Sequence, residues 1–203
     1  MNPKQSDLLI VGLGNPGLRY RSTRHNVGFL AVESFARKNR CAFRHNRFLK
    51  SLVAQGEVGG RRVWLALPQT FMNCSGEALR ALAKARRLDP DHILIVCDDV
   101  ALPLGVLRIK PKGSDGGHKG LASVVEQLKT KDIARLRIGI GRKTLAGDLA
   151  DYVLSPFCRQ ERAVLKDVFK KTTAAMETWI AEGVHACMNH FNKKTKGEET
   201  PKT

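Results

Sequence analysis

Residues 8 to 13 read Leu-Leu-Ile-Val-Gly-Leu and run straight into Gly14-Asn15-Pro16-Gly17. An apolar run this short, unbroken and closed by glycines is the pattern of a strand buried on both faces, with helices above and below it. Similar runs stand at Val63 to Leu67, closed by Pro68, and at Ile93 to Cys97, ending on Asp98 and Asp99. Val106 to Lys110 and Leu136 to Ile140 alternate more clearly, as half-covered strands do. Leu52 to Glu57 is a weaker candidate before the Gly59-Gly60 turn.

Between these runs the period becomes helical. Phe29, Val32, Phe35 and Ala36 share one face after Asn26, and Leu79, Leu82 and Ala83 share another after Ser75. Leu121, Val124, Val125 and Leu128 form a third. The stripe Val164, Leu165, Val168, Phe169, Thr172, Met176, Trp179 and Ile180 predicts one long amphipathic helix on the core. Strands alternating with helices predict an α/β fold, one central sheet sandwiched by helices. No helix separates the strands around 52–67 or 95–110, so the sheet is expected to be mixed, though mostly parallel. Residues 1–191 are expected to form one domain. The segment 192–203 (NKKTKGEETPKT) has no aliphatic or aromatic residue and is expected to be a disordered basic tail.

A domain of this size buries roughly 70% of the surface its unfolded chain exposes, enough for one sizeable core. Thirty-five Lys and Arg against nineteen Asp and Glu give a formal charge of +16. Such a field predicts a polyanionic partner, nucleic acid ahead of a membrane surface, held less tightly as salt rises. Five scattered cysteines without a Cys-x-x-Cys suggest neither a disulfide framework nor a zinc site, and point to a reducing cytosol. No apolar run approaches the roughly 20 residues of a membrane span. The seven residues ahead of the first strand are too few for a signal or transit peptide.

Ligands of open α/β sheets gather beyond the carboxyl ends of the strands, here the loops after Leu13, Leu67, Cys97 and Lys110. Gly12-Leu13-Gly14-Asn15-Pro16-Gly17 matches G-x-G-x-x-G, but Pro16 removes a donor and the next helix starts only near residue 25. A dinucleotide site is therefore not expected. The glycines are read as letting the backbone turn sharply and leaving Asn15 exposed at the sheet edge. Thr23-Arg24-His25-Asn26 puts a histidine at a helix start, where the positive terminus favours its uncharged, basic form. In Thr70-Phe71-Met72-Asn73, Asn73 can cap the next helix or aim an amide at a developing oxyanion, with Phe71 and Met72 as cleft walls. Asp98 and Asp99 point to opposite sides, so one of them can orient a histidine. A metal site needs more ligands than these loops supply, His118 being the other candidate. Lys110 to Gly120 (KPKGSDGGHKG) is a basic, glycine-rich loop suited to holding phosphate or closing as a lid.

In this order, Gly-Leu-Gly-Asn-Pro-Gly, Thr-Arg-His-Asn, Thr-Phe-Met-Asn, Asp-Asp, Gly-Gly-His and Arg-Leu-Arg-Ile-Gly-Ile-Gly make the chain resemble the bacterial-type peptidyl-tRNA hydrolases over residues 7 to 191. The resemblance implies cleavage of the ester joining a peptide to the terminal ribose of tRNA, in the cytoplasm, by a monomer that uses no metal or other cofactor. The implied partner is peptidyl-tRNA, held by its 3′ CCA end and acceptor stem. His25 is implied as the general base that activates water, and Asp98 as the residue that orients it. Asn15, Tyr20, Met72, Asn73 and Lys119 fall on the substrate-binding side, and Lys110 and Arg137 on the 5′ phosphate of the tRNA. Three positions depart from the family's habit: Lys119 replaces an Asn, Cys97 a His and Ala101 an acid. A non-catalytic, splicing-factor-like RNA binder is the alternative reading of the same fold.

Overall fold

A computed structural model describes residues 6–141 and 148–192. Strand β1 (Leu8–Gly12) leads through a 3₁₀ turn at Arg24–Asn26 into α1 (Val27–Lys38). A meander of β2 (Arg44–Asn46), β3 (Ser51–Val58) and β4 (Arg61–Pro68) follows, then α2 (Ser75–Arg86), β5 (Ile93–Asp99) and β6 (Leu107–Lys110). The chain continues with α3 (Lys119–Leu128), β7 (Ala134–Gly139), α4 (Leu149–Leu154) and α5 (Arg159–Phe191).

The sheet has the order β2-β3-β4-β1-β5-β7-β6. β4, β1, β5 and β7 are parallel, while β2, β3 and β6 pair antiparallel at the two margins. The sheet is mixed, and its parallel pairing is confined to the four central strands. Successive residues of β1 serve opposite faces. Leu8 and Ile10 join the core under α1 and α5, while Leu9 and Val11 join the one under α2 and α3. That double burial is why the strand reads as an unbroken apolar run.

Some elements escape the pattern. β2, Arg44-His45-Asn46, has no apolar residue and exists by pairing with Val53, Leu52 and Ser51. Helix α5 outruns its stripe and is broken at Gly183 (φ 84°, ψ −178°), where Arg61 Nη1 donates to the Ile180 carbonyl at 3.3 Å. Val164, counted in the stripe, is 44% exposed. Asn192, counted in the tail, caps α5 and exchanges two hydrogen bonds with Ile109 of β6, at 2.7 and 2.8 Å. The rest of the tail lies outside the described residues.

The first glycine loop works by close approach more than by turning. Of its glycines Gly17 (φ 101°) adopts a left-handed conformation, and Gly12 and Gly14 do not. A Cβ on Gly12 would meet the Gly28 carbonyl oxygen at 2.6 Å, and one on Gly28 would meet the oxygens of Val96 at 2.4 Å and Leu13 at 2.6 Å. The first turn of α1 therefore lies directly on β1 and β5, which sets the Arg24–Asn26 turn over the carboxyl end of β5. Gly28→Ala forces those backbones apart. Overpacking of this kind costs about 1–3 kcal/mol, and denaturant unfolding should show at least that loss. An unchanged midpoint would contradict the seating of α1.

Candidate active site

The His25 turn is held from behind by Arg24. Its Nη2 pairs with Glu161 Oε2 at 2.7 Å, its Nη1 donates to the Pro156 carbonyl at 3.0 Å, and its guanidinium lies over the Tyr152 ring at 4.5 Å. Burial pushes the Glu161 carboxyl up, but the Cys158 N–H and Arg24 outweigh it and hold that group below its ordinary value. A buried arginine so tied fixes the neighbouring imidazole, which is itself only 11% exposed.

His25 Nδ1 lies 2.8 Å from Asp98 Oδ1. The same oxygen lies 2.9 Å from His118 Nε2, and the two rings are 4.9 Å apart between centroids. Asp98 is buried, which opposes its charge. His118 and then His25 outweigh that cost and hold its carboxyl well below the usual carboxylate range. Asp99 takes the other side, as strand alternation requires, and its Oδ2 pairs with Arg137 Nη2 at 2.9 Å.

Asn15 is buried (7% exposed) rather than exposed at the sheet edge. Its N–H donates to Asn26 Oδ1 and its carbonyl accepts from Asn26 Nδ2, both at 2.9 Å. Its side-chain oxygen accepts the Met72 N–H at 2.8 Å, so the loops after β1 and β4 are joined. With that oxygen engaged, Asn15 has its Nδ2 donors left to offer. Asn73 is exposed and caps nothing, since Cys74 is the N-cap of α2. Tyr20 packs edge-on to Phe71 at 6.5 Å.

Asn15, Tyr20, His25, Met72, Asn73, Asp98, Lys119 and Arg137 all line one cavity of about 800 Å³. Lys110 does not line it; it is exposed at the end of β6. In the β6–β7 register Lys110 faces Arg135, and Arg108 faces Arg137. Like charges directly opposite one another destabilise a sheet, and on β7 the charge is offset where Arg137 pairs with Asp99. Arg135, buried, spends its guanidinium on the carbonyls of Gly113 (2.8 Å), Ser114 (2.7 Å) and Lys131 (3.1 Å) and so moors the glycine-rich loop.

His25, Asp98 and His118 bring a nitrogen or oxygen atom each within 4.8 Å of the others, closer together than their loops suggested, and those atoms are joined by hydrogen bonds. Sequence reasoning missed Arg24, Arg135 and the role of His118. The Gly-Gly-His segment was a usable signal for the last; the two arginines look like any others until their burial is known. Cys97 is a buried thiol whose pKa burial pushes up, and Ala101 donates its N–H to Asp99 Oδ1 at 2.9 Å. Among the described residues no helix is long and apolar enough to cross a membrane.

A family model described as "Peptidyl-tRNA hydrolase" matches residues 9–199. The curated "Peptidyl-tRNA hydrolase" of Chloroflexus aggregans is 48% identical, covering 91% of this chain and 98% of that protein. That of Roseiflexus castenholzii is 45% identical over 95% and 92%. Among solved structures, peptidyl-tRNA hydrolase from Acinetobacter baumannii superposes with a TM-score of 0.87 at 33% identity, covering 93% of this chain and 95% of that one.

Asp98 makes a testable contribution to acid stability. Unfolded, it titrates in the ordinary carboxylate range; folded, it titrates lower. Its contribution is therefore whole above about pH 4 and is lost as pH falls toward the folded value. Asp98→Asn, lacking that carboxylate, should lose stability less steeply between about pH 4 and pH 2 than the native chain. Equal slopes in denaturant titrations would contradict the assignment.

Proposed function

The chain belongs to the peptidyl-tRNA hydrolase family, and on that premise we propose how its cleft cuts the ester of peptidyl-tRNA. The enzyme hydrolyses peptidyl-tRNA, freeing tRNA and peptide, a function tied to translation. His25 is the general base. Its Nδ1 is engaged with Asp98, so Nε2 is the nitrogen left to take a proton from water in the cavity. The observation that carries this reading is the His25–Asp98 pair, buried at the wall of a cavity that collects all the expected residues but Lys110.

The steps balance without a cofactor. Water attacks the ester carbonyl while His25 Nε2 takes its proton, and Asp98 stays ionised and supports the imidazolium. The amides of Asn15 and Asn73 donate to the oxyanion and the peptide end. As the carbon–oxygen bond to ribose breaks, the imidazolium returns the proton to the departing ribose oxygen. General base catalysis is worth roughly 10²–10⁴-fold and an oxyanion donor about 10²–10³-fold, which suits an ester already activated.

The remaining roles complete the proposal. The 3′ CCA end enters beside Tyr20 and Met72, Lys119 donates to substrate oxygen, and Lys110 and Arg137 hold the 5′ phosphate at the acceptor stem. The protein acts as a monomer, as the family resemblance implies, and five free cysteines suit the cytoplasm. The splicing-factor-like alternative is not favoured, because the relatives are named as hydrolases and a base with its carboxylate is in place.

His25→Ala should lower ester cleavage by about 10²–10⁴-fold while tRNA affinity stays within a few-fold; cleavage at the native rate would sink the mechanism. Lys110→Gln and Arg137→Gln should each weaken tRNA binding and reduce the slope of log affinity against log salt by about 1. An unchanged slope would remove that residue from the phosphate contact.

A further inference from the structure

His118 stands ahead of α3 with both ring nitrogens engaged. Nδ1 accepts the N–H groups of Gly120 at 3.1 Å and Leu121 at 3.2 Å, capping the helix. A nitrogen that accepts cannot carry a proton, so the proton of the neutral ring sits on Nε2, 2.9 Å from Asp98 Oδ1. The Asp98 oxygen thus receives an N–H from each of two imidazoles.

The two rings are not equivalent. A second proton on His118 would have to enter at Nδ1, break both caps and place a cation against the positive end of α3. A second proton on His25 enters at Nε2 and costs no capping bond. Of two histidines sharing one carboxylate oxygen, only His25 is free to cycle.

We propose that His118 is a positioning residue of the hydrolysis: a neutral imidazole of fixed tautomer that holds Asp98 in place and moderates its pull on His25. This rests on the reading of His25 as the base. A carboxylate bonded by one histidine alone favours that histidine's imidazolium and empties the base. A second donor to the same oxygen takes up part of the carboxylate's charge and so weakens its pull on His25. Other charged groups near His25 are Arg24, turned away to Glu161, and Asp99 paired with Arg137. Tyr20, Asp115, Lys119 and Asp148 line the same cavity.

His118→Asn separates the two functions of the ring. An asparagine oxygen can still cap α3, but its shorter amide cannot also reach Asp98. We expect near-native thermal stability and a KM for peptidyl-tRNA within about twofold, with kcat lowered about tenfold. The acid limb of kcat should move to higher pH by about half a unit or more. A merely structural residue would lower kcat with stability and leave the limb where it was, and that result would overturn the proposal. Should the variant not fold, ¹⁵N shifts of the imidazoles in the native chain decide. His118 should keep its Nε2–H tautomer throughout pH 5–8, and an Nδ1–H tautomer or a second proton in that range would overturn it. If His25→Ala is inactive while the limb of His118→Asn is unmoved, this inference alone falls; if His25→Ala is active, the base assignment falls first.

Discussion

One carboxylate oxygen organises the site. Asp98 Oδ1 lies within hydrogen-bonding distance of His25 and His118, and Asp98 is buried at the end of a wholly buried strand. A buried charge is tolerated only when it is paired and hydrogen-bonded. The fold supplies those partners from both of its helical layers: the turn ahead of α1 brings His25 from one side and the N-cap of α3 brings His118 from the other. The Gly12–Gly28 contact is what lets α1 come close enough, since any side chain there would strike backbone oxygen.

From this centre the chemistry spreads along the sheet. β1 and β4 deliver the amides of Asn15 and Asn73 beside the histidines, while β7 and β6 carry cations one and two strands beyond β5. Asp98 and Asp99, adjacent on β5, take opposite sides: one pairs with His25, and the other with Arg137. On β7 the opposed cations are satisfied within the protein, Arg135 by the carbonyls of the glycine-rich loop and Arg137 by Asp99. The formal +16 spread over the chain adds the long-range attraction that brings a polyanion to this surface.

Much of this was legible in the sequence, and the reasons differ by residue. Unbroken runs such as Leu8–Leu13 announce a doubly covered strand because both side-chain directions are apolar. Asn73 and Asp98 could be set in the loops at the carboxyl edge because strand ends are marked by abrupt changes from apolar to polar, and His25 because it stands at a helix start. β2 could not be read, since its three polar residues form a strand only by pairing with β3. Arg24 and Arg135 were equally hidden, because an arginine satisfied by distant carbonyls or by Glu161 has no local signature. Asn15 lines the cavity, but it is buried where exposure was expected: its side chain bonds across 57 residues to the Met72 N–H, a contact no local pattern encodes.

The most direct test is the pH dependence of the single-turnover cleavage rate of native protein on peptidyl-tRNA between pH 5 and 8. A histidine base paired with an ionised Asp98 predicts a rate that falls on the acid side, tenfold per pH unit once below the midpoint, as one proton occupies the base. A profile flat across that range would contradict the account at its centre.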